Sequence, residues 1–411
     1  MSERKWNNLG QLIQPTETKT FFSDYWEIQP LHVPHEDPAY FRNLFQLTDM
    51  DKLLQLGNRT FAAEDPTRSK VVRCHPTHRL FDPRRNSEHA RTLSDLYRHG
   101  HTILIDDIHT QWPAIAELTN ELARELGHGV GANLYLTPKQ SQGFGIHYDT
   151  HDVFILQIEG HKEWRIYDIE VSLPLPEMQS KKGNLDPNSI GEPKQKLTLN
   201  AGDVLYIPRG HAHAARTTNS HSLHLTVGVH VVCWVDLLKA AISQVALHDV
   251  RLRRALPIDY FESRSVRNDE AIQRQLMRYL ALVSASANVS EVNRLLADSP
   301  LLFLSQQNAN RFGAIEALDT VGEETVVTRS PLLQCHVVEE GEKVTFVFPA
   351  GEIRGPLKIA AACHFIASTQ RFTVGELPGV LSPAAKTVLV KRFIREGILH
   401  IAPASIDLVD P

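Results

Sequence analysis

With 411 residues the chain is too long for one ordinary hydrophobic core, and two or three domains are the natural expectation. Its composition, 42% hydrophobic, 22% charged and 7% aromatic, is that of a globular protein in water, and a formal charge of −5 gives no global reason to expect nucleic-acid or anionic-membrane binding. The four cysteines (Cys74, Cys233, Cys335, Cys363) are widely spaced without a C-x-x-C pair, which argues against a disulfide framework or zinc knuckle and fits a reducing compartment. No run approaches the roughly 18 apolar residues of a membrane helix, and "MSERKWNNLGQLIQ" lacks the apolar centre of a secretion signal, so the expected location is cytoplasmic.

The first 130 residues read as mixed α/β. A helix is expected over "DPAYFRNLFQL", then a helix and an apolar strand in "TLSDLYRHGHTILIDDIH". In "WPAIAELTNELARELGHG", Ile115, Leu118, Leu122 and Leu126 recur at helical spacing and glycine closes the end. From 131 to about 232 the pattern changes to short strands: "ANLYLT", "HDVFILQIEG", "HKEWRIYD", "QKLTLNAGDVLYIP" and "SLHLTVGVHVV" are bounded by Gly, Pro and Asn. Strands of this length at regular intervals predict a sandwich or barrel.

Between about 236 and 310 the chain turns helical. "NDEAIQRQLMRYLALV" places Ile272, Leu276, Leu280 and Val283 on one stripe, capped by Asn268 or Asp269, and "SEVNRLLADSP" follows. A helical pair after a complete β-domain must bury its stripe, and a second subunit is the expected cover. The last segment is a small α+β unit: a hairpin at "EEGEKVTFVF", a helix "PLKIAAACHFIAS", and a helix "SPAAKTVLVKRFIREG" with Ser382 at its cap, Pro383 in its first turn and Gly397 past its end.

Candidate metal ligands cluster in two places. "HYDTHD" offers His147, Asp149, His151 and Asp152; "PRGHAHAARTTNSHSLH" offers His211, His213, His221 and His224. On a strand, i and i+2 share a face, so Asp149 can pair with His147 or with His151, whereas His151 and Asp152 point apart. "GDVLYIPRGHAH" is close to the second cupin motif, in which a Pro-x-Gly turn drops a histidine, here His213, into the mouth of a β-barrel; Thr217 stands where that motif ends in asparagine. His211 is expected to sit in the turn itself.

Together, "NLYLTPKQSQGFGIHYDTHDVFILQIEGHKEWRIY", "AGDVLYIPRGHAHAA" and "HSLHLTVGV" resemble the ribosomal oxygenases, JmjC-type, cupin-fold enzymes that use Fe(II), 2-oxoglutarate and O₂. The resemblance extends upstream through "YWEIQPLHV" and downstream into the helical and C-terminal parts. It implies a mainly β catalytic domain, a double-stranded β-helix of cupin/JmjC type over 1–234 with a mixed N-terminal elaboration. An all-α dimerisation segment over 235–318 and a small α+β winged-helix domain over 319–411 follow. His147, Asp149 and His213 are then the catalytic iron ligands; two imidazoles and one carboxylate leave room for a chelating keto acid and O₂, which a fourth ligand such as His151 would block.

The resemblance further implies that Lys162 pairs the distal carboxylate of 2-oxoglutarate, with Arg165 a competitor on spacing alone, since a buried lone charge is costly. Thr226, Asn133 and Tyr135 match positions lining the same pocket, and Gly228 stands where several relatives carry a hydroxyl. His151, His211, His221 and His224 are expected to be neighbouring, substrate-facing or surface groups, Asp152 structural or paired with a neighbouring backbone N–H, and Trp164 and Tyr167 core. The implied reaction is hydroxylation of a ribosomal-protein side chain, histidine or arginine, with release of succinate and CO₂. The alternatives are another peptide, such as a natural-product precursor, and a winged-helix DNA-binding regulator with a sensory cupin domain. Charge opposes the last: residues 320–411 hold nine Lys/Arg against ten Asp/Glu, a net of −1, where a DNA reader is clearly basic. The expected partners are therefore a protein substrate and a second copy of the chain, with neither membrane nor nucleic acid.

Overall fold

The structure, a computed structural model, describes residues 8–56, 59–63, 70–76, 83–178, 185–256, 266–293, 296, 316–329, 335–348 and 351–402, and the element labels count within these. The N-terminal part comprises α1 (Leu9–Ile13), α2 (Thr18–Asp24), β1 (Leu31–Val33), α3 (Asp49–Leu56), β2 (Arg59–Ala63), β3 (Val71–Pro76), α4 (Pro83–Arg98), β4 (Thr102–Ile105) and α5 (Pro113–Leu126). The barrel follows with β5 (Gly129–Thr137), β6 (Asp152–Ile169), a short α6 (Pro187–Ile190), β7 (Gln195–Asn200), β8 (Val204–Ile207), β9 (His211–Arg216) and β10 (Ser222–His230).

One long strand organises the barrel. The first half of β6 lies between β8 and β10 in a sheet ordered β1-β8-β6-β10-β5-β4-β3-β2, while its second half pairs with β7 and β9. β6 thus belongs to two facing sheets, and the space between them is the pocket. Period-two alternation sorts its side chains. Phe154, Leu156 and Ile158 face outward with Leu134, Leu223 and Leu225 of the neighbouring strands. They join one core with Ile115, Leu118 and Leu122 of α5 and with Phe21, Phe41 and Phe45 of the N-terminal segment. Val153 and Ile155 face inward and meet Trp164, Ile166, Leu205 and Ile207.

After the barrel come α7 (Trp234–His248) and α8 (Val266–Ser286), which share a small cluster around Ala241, Val245 and Val283. The C-terminal unit has its own core. Its elements are β11 (Val326–Arg329), β12 (His336–Glu340), β13 (Lys343–Phe348), β14 (Gly351–Pro356), α9 (Ala360–Ser368), β15 (Arg371–Thr373), α10 (Pro383–Arg395) and β16 (Leu399–Ile401), in two three-stranded sheets. Ser382 caps α10 by accepting from Ala385 N–H at 3.3 Å, as the sequence implies.

Four expectations are corrected. Residues 38–44 form consecutive turns rather than a helix, closed by i→i−3 bonds such as Tyr40 N–H to Asp37 O and Leu44 N–H to Phe41 O. Burial of Tyr40, Phe41, Leu44 and Phe45, with His35 stacked on Tyr40 at 3.8 Å, outweighs helical propensity there. Gly160 does not end one strand and begin another: it lies within β6 at φ 67°, beside a register shift against Leu223 and His224. His211 begins β9 rather than sitting in the turn, but the irregularity opposite it, between Ile166 and Ile169, breaks simple alternation with His213. Helix α8 starts at Val266, so Asn268 and Asp269 lie in its first turn rather than capping it. Part of "SEVNRLLADSP", at 294–295 and 297–300, and residues 297–315 of the expected helical segment lie outside the described residues.

A Cβ at position 160 would drive into the carbonyl oxygen of His221, on a backbone that L side chains avoid. Gly160→Val is expected to lower the unfolding free energy by at least about 2 kcal/mol, checked by urea denaturation at equilibrium.

Candidate metal centre and its pocket

His147 and Asp149 lie on the segment between β5 and β6, and His213 lies within β9. An isolated antiparallel bridge joins the two segments: His147 N–H donates to His213 O at 3.1 Å and His213 N–H to His147 O at 2.8 Å. Residues opposed across such a pair project to the same side. The two imidazoles therefore meet, with ring centroids 4.5 Å apart, and His213 Nε2 stands 3.6 Å from Asp149 Oδ2. One ligand atom from each of the three residues lies within 4.8 Å of the others, and all three residues are buried.

Backbone carbonyls orient both rings. His147 Nδ1 bonds to Gly145 O at 2.9 Å and His213 Nδ1 to His211 O at 3.0 Å. A carbonyl only accepts, so each Nδ1 carries a hydrogen, and in the neutral ring each Nε2 then offers its lone pair to the shared centre. Two neutral imidazoles and a carboxylate on one side of a point fit a divalent transition metal with positions left open.

His151 stays out of this cluster. Its ring stacks on His230 at 4.8 Å, in space that exists because residue 228 is glycine: a Cβ there would lie 2.8 Å from His151 Cδ2. Asp152 is fully buried and bound to Arg209, a partner the sequence did not indicate. His221 is part-exposed, near Glu159 at 4.0 Å.

Beyond the three ligand residues the pocket runs between the sheets past Val153, Ile155, Trp164, Thr226 and Tyr135 to Lys162. Lys162 is 5% exposed, and its Nζ donates to Thr137 Oγ1 at 3.1 Å; among the described residues it forms no ion pair. Burial alone pushes its ammonium down to about 7. Its neighbour His224 is held well below the usual histidine range, first by burial and then by the charge of Lys162, and stacks flat on Tyr135 at 4.8 Å. Arg165 lies on the opposite face of β6 from Lys162 and Trp164, which removes it from the pocket by alternation. Asn133 shares a face with Tyr135, but its Oδ1 accepts from Asp107 N–H at 2.9 Å and it is not in the pocket lining. Thr102 and Phe144 line the pocket without a sequence signal, because strand neighbours and a loop bring them there.

Residues 108–237 match the family model of the JmjC domain. The chain is 30% identical over 355 residues to Ribosomal oxygenase 1 of Danio rerio, covering 80% of this chain and 64% of that protein. Over 372 residues it is 29% identical to the bifunctional lysine-specific demethylase and histidyl-hydroxylase NO66 of Aedes aegypti, covering 82% and 57%. Among solved structures, Escherichia coli ribosomal oxygenase YcfD aligns over 94% of this chain and 98% of its own, with a TM-score of 0.53 at 17% identity, a likeness of fold. The double-sheet barrel and its His-Asp-His cluster therefore define a JmjC-domain protein. Beyond that domain, the chain is similar to ribosomal oxygenases over about four fifths of its length. It spans roughly half to two thirds of the length of these curated relatives, 64% and 57% for the two named.

The Lys162 ammonium fixes a sign for pH dependence. The folded protein releases this proton above about 7, whereas the unfolded chain holds it to about 10.4, so between these values the unfolded state binds more protons and stability rises with pH. Lys162→Met is expected to flatten that rise by up to about 1.4 kcal/mol per pH unit, read from denaturation midpoints of the ligand-free protein across the window.

Proposed function

We propose that the chain is an Fe(II)- and 2-oxoglutarate-dependent oxygenase that hydroxylates a ribosomal-protein side chain, histidine or arginine, with release of succinate and CO₂. One observation carries the reading: a two-histidine, one-carboxylate set and a buried lysine without a carboxylate partner among the described residues line the same pocket. A buried cation is costly unless an anion joins it, and a chelating dicarboxylate would satisfy both ends at once. A related fold, E. coli YcfD, has been solved with cobalt and 2-oxoglutarate.

In this reading His147, Asp149 and His213 hold the metal, which when bound supplies O₂ activation and the oxidative decarboxylation of 2-oxoglutarate. Lys162 pairs the distal carboxylate, its charge completed as the anion enters, and Thr137 holds its Nζ in place. Tyr135 and Thr226 flank the co-substrate from adjacent strands, and Asn133 braces the same wall through Asp107. Val153, Ile155 and Trp164 keep water from the reacting end. The Aedes relative is named a histidyl-hydroxylase as well as a lysine demethylase, which favours histidine over arginine as the hydroxylated target.

Partners follow from surface chemistry. Trp234, Leu238 and Ile242 on α7 and Leu276, Met277 and Leu280 on α8 remain exposed, which supports a homodimer through the helical segment 235–318. We assign residues 319–411 to a winged-helix-type interaction module rather than a duplex reader, on the net charge of its sequence. No helix among the described residues is long and apolar enough to cross a membrane.

Mass spectrometry of ribosomal proteins with and without the chain tests the substrate: one peptide should gain the mass of a single oxygen, and no such gain would leave another peptide as the target. Asp149→Ala and His213→Ala should abolish succinate formation, while His151→Ala should still bind metal; loss of metal from the His151 variant would refute the ligand assignment. A monomeric mass by light scattering would refute the dimer.

A further inference from the structure

The two segments that carry the metal ligands are tied by a buried ion pair outside the ligand set. Asp152 begins β6 three residues after Asp149, and Arg209 occupies the Pro208–Arg209–Gly210 turn four residues before His213. Arg209 engages both oxygens of one carboxylate: its backbone N–H donates to Asp152 Oδ1 at 3.0 Å and its Nη1 to Oδ2 at 2.9 Å. Tyr206 adds a hydroxyl bond to Oδ1 at 3.2 Å. The next residue, Gly210, donates its N–H to the backbone oxygen of Asp149 at 3.0 Å, which carries the register of the pair directly to a ligand residue. Gly210 stands at φ 86°, and a Cβ there would meet the carbonyl oxygen of Val171, so the turn has little freedom to relocate. From the other side, Arg209 Nη2 reaches Glu27 Oε1 at 2.6 Å, joining the N-terminal segment to the same turn.

A buried ion pair is weak evidence for stability, because desolvation offsets attraction; its best-attested use is to fix register. Here the register it fixes is that of the two segments bearing His147, Asp149 and His213. We propose that Asp152 and Arg209 form a positioning clamp for the metal centre, setting metal affinity through the backbone without touching the metal. This rests on the ligand reading above. Asp152 is 0% exposed and Arg209 6%, so the clamp is shielded from solvent screening. The guanidinium bridges two carboxylates, Nη1 to Asp152 and Nη2 to Glu27, a span that the single point charge of a lysine does not reproduce.

The test is titration of the full-length, metal-free protein with Co(II), followed by calorimetry and by visible absorption of the bound ion, with the metal-free melting temperature recorded for each variant. Saturable binding by the unmodified protein that His213→Ala abolishes establishes the site; failure of that control overturns the ligand reading and the clamp with it. Given the site, Asp152→Asn is expected to weaken Co(II) binding by about 10-fold or more and to alter the absorption band, with Arg209→Lys intermediate. Glu27→Gln, which loosens only the outer arm, should show a smaller weakening in the same direction. If Asp152→Asn does not fold, Arg209→Lys, which keeps the buried charge paired, decides on the same measurement. Folded variants that bind Co(II) within about twofold of the unmodified protein, with an unchanged band, overturn the proposal even if their melting temperatures fall.

Discussion

The candidate metal centre depends on one short antiparallel pairing, in which His147 and His213 exchange backbone hydrogen bonds at 3.1 and 2.8 Å. It closes a loop between positions far apart in sequence and places their side chains on one side, where Asp149 already projects. Each ring is then turned by a carbonyl two residues earlier in its own chain, Gly145 O or His211 O. Backbone geometry thus determines both which nitrogens face the centre and how far apart they stand. Cavity walls and electrostatics come after that.

The pocket has two chemically distinct ends because β6 runs through both sheets. Its first half contributes Val153 and Ile155, and its second half contributes Lys162 and Trp164, whose ring stands 6.0 Å from that of His213 and 6.0 Å from Lys162 Nζ. Lys162 has no stability rationale of its own: a buried ammonium bonded to one hydroxyl is a liability in the folded protein. Neutral His224, stacked on Tyr135, adds a polar wall without a second positive charge. The result is a pocket whose lining joins a buried lysine to a neutral imidazole and an aromatic ring.

The fate of the remaining histidines shows how packing separates equivalent residues. His151 is as close in sequence to Asp149 as His147 is, yet it stacks on His230 in the space left by Gly228. A hydroxyl residue at 228 would need that space, so the glycine and the position of His151 explain each other. His211, the counterpart two residues before His213, is diverted by the irregular pairing opposite Ile166 and Ile169.

Local signals carried much of this from the sequence. Strand alternation put Asn133 and Tyr135 on one face, but Arg165 stayed a competitor of Lys162 until the continuous β6 set them on opposite faces. Helical spacing and caps located α5 and α10, and the H-x-D and Pro-x-Gly-x-x-His motifs, with the family resemblance, named the candidate ligands. Residues alone left Asp149 free to pair with either histidine, because face alternation is symmetric about it. Tertiary structure decided what depends on partners distant in the chain: the turns at 38–44 in place of a helix, the continuous β6, the Thr102 and Phe144 walls, and the bond between Asp152 and Arg209. A periodicity reports which way a side chain points, but not what it meets there, and the metal centre consists of such meetings.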